Sequence, residues 1–157
     1  MKNKLSEHFA LEEFTRSATA ARLGICNEPG DDAISNLQCL CQEVLDPLRE
    51  HAGVPIVISS GYRCHRLNKA VGGVTNSQHC TGEAADIHLP DVETGHEWFE
   101  YIYKHLVFDQ LIWEFVGGTA WIHVSYRREY DRNRRQVLAK QENLYSVILQ
   151  SSKISVK

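Results

Sequence analysis

At 157 residues, with 43% hydrophobic and 24% charged side chains and a formal net charge of -3, the chain is long enough to bury a core without disulfide help. That balance excludes a collagen-like or disordered chain and gives no footing for a polyanion-binding protein. No window approaches the ~18 uninterrupted apolar residues of a membrane span, and MKNKLSEHFALEEF carries charge where an export signal is apolar, so the chain reads as soluble, with no export signal of its own.

LSEHFALEEF reads as a short helix start, followed by the turn-rich loop GICNEPG. From Asp31, the apolar positions Ile34, Leu37, Leu40, Cys41, Val44, Leu45 and Leu48 recur at three and four residues. This predicts a helix capped by Asp31 or Asp32, bent at Pro47 and stopped at Gly53. PIVISS, from Pro55 to Ser60, reads as a buried strand that delivers GYRCHRLN to a defined place.

AADIHL predicts a second strand, DVETGHEWFEYIYKHL a second helix, and DQLIWEF a third strand. AWIHVSY alternates strictly and makes a fourth strand, joined to the third by Gly117-Gly118. The hairpin presents Glu114 and His123 from neighbouring strands. RQVLAK reads as an edge strand and the last residues as frayed. The expected architecture is α+β: one domain over 1–157, its core about 5–140, with a small antiparallel sheet and helices packed against it.

Five cysteines without a C-x-x-C pair read as reduced thiols rather than a disulfide framework. The dense cluster of metal-ligand side chains is SQHCTGEAADIH. Its His79 and Asp86 are seven apart, with Gly82, Ala84 and Ala85 between them, a spacing that suits a loop leaving one ligand and entering a strand at the next. A hydrolytic zinc site needs three protein ligands and an open position for water. His123, on the strand face opposite Ile122 and Val124, is the natural third. His88, two residues beyond Asp86 on the same strand face, stays open as a competing ligand or a supporting group.

The run SSGYRCHRLNKAVGGVTNSQHCTGEAADIHL, followed by WIHVSY, resembles the zinc D-Ala-D-Ala carboxypeptidase family, within the group that includes lysostaphin-type endopeptidases and hedgehog domains. S-G-Y-R, then Asn, then S-x-H-x-x-G-x-A-x-D, then a tryptophan-flanked histidine agree in order and spacing over roughly residues 5 to 125. The resemblance implies a hedgehog/D-Ala-D-Ala-peptidase-like fold, Zn2+ held by His79, Asp86 and His123, and Arg63 steadying the developing oxyanion. It also implies that Ser77 and Gln78 line the substrate groove, that Asn68 braces its loop beside them, and that the substrates are peptidoglycan stem peptides. A monomer is expected; the absent export signal fits a phage-type lysin as well as an incomplete chain.

Many relatives carry an acidic general base three residues before the last histidine, where this chain has Ala120. Glu114, at the end of the preceding hairpin strand, is the nearest upstream acid and the expected proton carrier. The alternative is a non-catalytic, zinc-stabilised module that binds peptide or protein. Nucleic acid binding is disfavoured, because the basic run from Arg127 to Arg135 alternates with acids.

Overall fold

A computed structural model describes residues 3–141 and 144–147 of the chain. Six helices and six strands appear among them: α1 (Leu11–Thr15), α2 (Ala18–Leu23), α3 (Asp31–Leu40), α4 (Asp46–Ala52), α5 (His65–Ala70) and α6 (Val92–His105), with β1 (Ile58–Ser60), β2 (Ala84–His88), β3 (Gln110–Val116), β4 (Thr119–Ser125), β5 (Gln136–Gln141) and β6 (Leu144–Val147). The strands form one sheet in the order β1-β2-β4-β3-β5-β6. The fold is α+β, as expected. Its sheet, however, is mixed, since β5 runs parallel to β3 while every other neighbouring pair is antiparallel.

Strand alternation gives the sheet two different faces. Ala85 and Ile87 of β2, Leu111 and Trp113 of β3, Ile122 and Val124 of β4, and Val137 of β5 join the hydrophobic core. Against them pack Phe14 of α1, Leu37 and Leu40 of α3, Leu48 of α4, and Trp98, Phe99 and Ile102 of α6. Each such side chain contributes about 1.5–3 kcal/mol by leaving water. Asp86, Ile112, Glu114, Trp121 and His123 stand on the opposite face.

The long periodic stretch from Asp31 to Ala52 is helical throughout, but a π-helical turn, Cys41–Leu45, separates α3 from α4. Asp46 N bonds to Cys41 O across that turn, which accommodates Pro47, a residue without an N–H, early in α4. Asp91 caps α6 by accepting from Thr94 N at 2.7 Å. The β3–β4 hairpin turns through Gly117 and Gly118 at φ 59° and 80°, a left-handed pair that glycine adopts without strain.

Three expectations need correction. PIVISS forms a strand over Ile58–Ser60 alone, and the register shifts between Ile58 and Ser60. RQVLAK is a strand but not an edge, because β5 lies between β3 and β6. LSEHFALEEF becomes helical only at Leu11, after an isolated bridge between Lys4 and Ala10. The expected fraying of the last residues concerns 148–157, outside the described residues. No helix among the described residues is long and apolar enough to cross a membrane.

Candidate metal centre

His79 is presented by a 3-10 turn, Gln78–Thr81, rather than by a strand. Ser77 caps that turn, its hydroxyl accepting from His79 N at 3.3 Å, and Gly82 ends it at φ 76°. A Cβ on Gly82 would lie 2.4 Å from Ala33 O, so both the conformation and the space demand glycine. The imidazole is 2% exposed. Its Nδ1 donates to Gly61 O at 2.7 Å, which assigns the proton to Nδ1 and leaves the Nε2 lone pair facing Asp86. Arg63 N donates to His79 O at 3.1 Å, tying the GYR segment to the same turn.

Asp86 and His123 are direct cross-strand partners on β2 and β4. The carboxylate Oδ1 lies 3.0 Å from His123 Nδ1 and 3.4 Å from His79 Nε2. The two imidazole rings stand 5.1 Å apart, inclined at 65°. Burial opposes ionisation of Asp86, but the two imidazoles beside it, His79 first and His123 with it, outweigh that cost and hold the carboxyl well below the ordinary carboxylate range. Two tetrahedral zinc ligands, each at ~2.1 Å from the ion, lie about 3.4 Å from one another. The Asp86 separations therefore match a common zinc ion, and the two-nitrogen, one-oxygen donor set is of the kind that binds it. The ligand atoms of all three residues lie within 4.8 Å of one another.

His88, exposed at the end of β2, stands outside this convergence. A second group, Glu7, His8 and Glu50, also comes together, but at the surface, where His8 Nε2 pairs with Glu50 Oε1 at 2.5 Å.

Glu114 is 9% exposed and lies opposite Trp121 on β4, diagonal to His123, which faces Ile112. Such diagonal neighbours are about 7–8 Å apart, within reach of a long side chain. Burial pushes the Glu114 carboxyl up, the nearby negative charge of Asp86 adds to this, and His123, Lys140 and Arg63 oppose it. Ala120 packs against the hydrophobic core, on the sheet face opposite His123. An acid at position 120 would point away from the ligands in this register, whereas Glu114 shares their face.

Arg63 makes no ion pair among the described residues, and its Nε is buried without a hydrogen-bond partner. Its charge is felt at Glu114 and at Cys80, which brackets the site. Burial raises the Cys80 thiol above its usual range, with Arg63 opposing. Asn68 is 3% exposed and donates to Val74 O at 2.8 Å, so it braces the glycine-rich loop.

Gln78 faces inward: its Nε2 donates to Asp109 Oδ2 at 3.0 Å and to Glu83 Oε2 at 3.3 Å. Asp109, fully buried just before β3, escaped the sequence reading, which had only the polar dipeptide Asp109-Gln110 opening a strand as a signal. It accepts from Arg134 N and Nε, both at 3.0 Å, and from Arg134 Nη2 at 2.8 Å. Burial resists the Asp109 charge, yet these bonds bring its carboxyl down to about 2. Asp109 thereby fastens the turn that carries His79 to the segment entering β5.

Comparison with curated proteins gives no match. Comparison with protein families matches residues 7–125 to Peptidase M15, a span that includes the three converging residues His79, Asp86 and His123, as well as Arg63 and Glu114. Over that span, which is more than half of its length, the chain belongs to the peptidase M15 family.

Proposed function

We propose that this chain is a zinc-dependent peptidase that hydrolyses peptidoglycan stem peptides, as a D-Ala-D-Ala carboxypeptidase or a cell-wall endopeptidase, and so acts at the cell wall. The observation that carries the reading is the convergence of His79, Asp86 and His123 on the sheet face that also bears a buried glutamate. His79 Nε2, an Asp86 carboxylate oxygen and His123 Nδ1 would hold the ion. When bound, zinc supplies Lewis acidity toward a peptide carbonyl and lowers the pKa of a water molecule.

The chain's own groups divide the remaining work. The Glu114 carboxylate takes the proton of the attacking water and delivers it to the nitrogen of the departing amine. Its raised affinity for protons suits both halves of that transfer. The Arg63 guanidinium, a planar and permanently charged donor, steadies the negative charge that develops on the carbonyl oxygen. Gly61 O and Asp86 hold the His79 ring in the orientation that binding requires.

Metal analysis combined with digestion of purified peptidoglycan tests the reading. One zinc per chain is expected, with new amino groups released by the wild type and none by Glu114→Ala. Bound zinc with no product from either protein would replace the peptidase by the non-catalytic peptide-binding module. Failure to bind zinc would remove both.

A further inference from the structure

The net charge of -3 hides a segregation. Residues 14–27 and 51–82 contain no aspartate or glutamate, yet they hold Arg16, Arg22, Arg63, Arg66 and Lys69; all 20 acids lie elsewhere in the chain. The fold brings these two stretches together. α2, with Ile25 just after it, packs on α5 through Ala20 and Leu67. Beside them the buried Asn27 donates to Thr15 O at 3.1 Å and to Tyr62 O at 2.9 Å, and accepts from Cys64 N at 2.7 Å. Arg16 and Arg63 adjoin this clamp, and Arg63 N joins it to the turn that carries His79.

Arg16, Arg22, Arg66 and Lys69 are exposed and form no ion pair among the described residues. Of the acids that border the two stretches, Glu13 accepts from Ala10 N, Glu50 pairs with His8 and Glu83 accepts from Gln78 Nε2, so these three are engaged elsewhere. Cations gathered without counter-ions repel one another and attract an anionic partner. We propose that the α2–α5 pair is a docking surface for a phosphodiester polymer of the cell wall, held by Arg16, Arg22, Arg66 and Lys69 next to the metal turn; this rests on the zinc peptidase reading, which puts the chain at the wall. Three of the four are arginines, whose planar fork pairs with phosphate oxygens bidentately. Cations spread over two helices suit a chain of repeating charges better than a single anion. A polymer held there raises the local concentration of wall peptide at the site. The competing role is structural: Arg22 and Lys69 lie in last turns, where a cation complements the helix dipole.

Anisotropy of a fluorescein-labelled glycerol-phosphate oligomer measures binding to the zinc-loaded full chain. The wild type is compared with Arg16→Gln/Arg22→Gln/Arg66→Gln/Lys69→Gln and with Lys4→Gln/Lys104→Gln/Arg128→Gln/Arg132→Gln, which removes the same charge from exposed positions elsewhere. The first variant should bind at least about tenfold more weakly at ~50 mM salt and the second about as the wild type, whose own binding should fall at least about tenfold by ~200 mM salt. Arg16→Gln/Arg66→Gln, which spares both last turns, should weaken binding several-fold and carries the test if the fourfold variant unfolds. On intact walls the fourfold variant should digest several-fold more slowly, while its kcat and KM on an isolated stem peptide stay at wild-type values.

Equal loss in both fourfold variants, tighter binding of a single-stranded DNA oligomer with the same number of phosphates, or a lowered melting temperature with unchanged binding would overturn the proposal. Oligomer binding through these cations without peptide hydrolysis by the wild type would keep the surface and sink the peptidase reading. Hydrolysis without oligomer binding would do the reverse.

Discussion

Glu114→Gln removes a charge and a proton acceptor while preserving shape, so it separates catalysis from architecture. General acid–base transfer by a positioned side chain contributes ~10²–10⁴-fold, or about 2.7–5.4 kcal/mol of barrier at ~1.36 kcal/mol per decade. Turnover of a stem peptide by Glu114→Gln should fall by that factor while zinc content stays at the wild-type level. Stability should move the other way. The folded-state pKa of Glu114 is raised above its ordinary 4.5, chiefly by burial. Folding therefore favours the protonated acid, and this glutamate becomes progressively more costly to the fold as pH rises from about 4.5 through the raised value. A glutamine carries no such cost, so the variant should melt at or above the wild-type temperature at pH 7, and the two curves should converge below pH 4.5. Peptide release followed by amine labelling, together with calorimetric melting across pH 4 to 8, measures both effects. A zinc-loaded Glu114→Gln protein with more than a tenth of wild-type turnover would refute the assignment of the proton to Glu114.

Ala120→Glu, added to Glu114→Gln, should not restore hydrolysis, because position 120 lies on the core face; recovery of more than about a tenth of wild-type turnover would show that the strand presents that side chain to the ligands. Gly82→Ala should lower stability by about 1–3 kcal/mol in urea unfolding, through its positive φ and the 2.4 Å approach to Ala33 O, and should weaken zinc retention because the same turn carries His79. Asp109, with a folded-state pKa of about 2 against an ordinary 3.8, contributes stability that is present above pH 3.8 and lost as pH falls toward 2. Asp109→Asn should lose on the order of 2 kcal/mol at pH 7 and flatten the acid limb of the stability curve; an unchanged limb in chemical unfolding would contradict the role given to Arg134.

The convergence of His79, Asp86 and His123 was legible because each stands in a short, strongly typed context: a glycine-ended turn around His79, small residues before Asp86, strict alternation around His123. The hairpin also presented Glu114 beside His123, whereas His88, on the same strand face as Asp86, stayed open until the structure left it outside the convergence. What escaped was tertiary in origin. α2 and α5 have only six residues each and carry no apolar repeat; Ser17 and Cys64 cap them, and packing sustains them. The parallel β3–β5 pairing joins strands separated by a charged connection in which no periodicity announces a partner. β1 shrank because its register breaks at the sheet edge. The bond from the Gln78 amide to Asp109, a partner 31 residues away, had no sequence signal either.

The bond from His79 Nδ1 to Gly61 O bears on how the metal would arrive. Most of the ring's freedom is gone once the chain has folded, and the proton is already on the nitrogen that will not meet the ion. Gly61 can come this close only because it lacks a side chain; a Cβ there would fall 2.6 Å from Phe14 Cα, in the first helix. Capture of zinc at this histidine should therefore require neither a tautomer change nor a search among rotamers. In kinetic terms, loading at this ring should be governed by encounter rather than by its rearrangement, with Phe14 of the first helix setting how closely Gly61 and its carbonyl can approach.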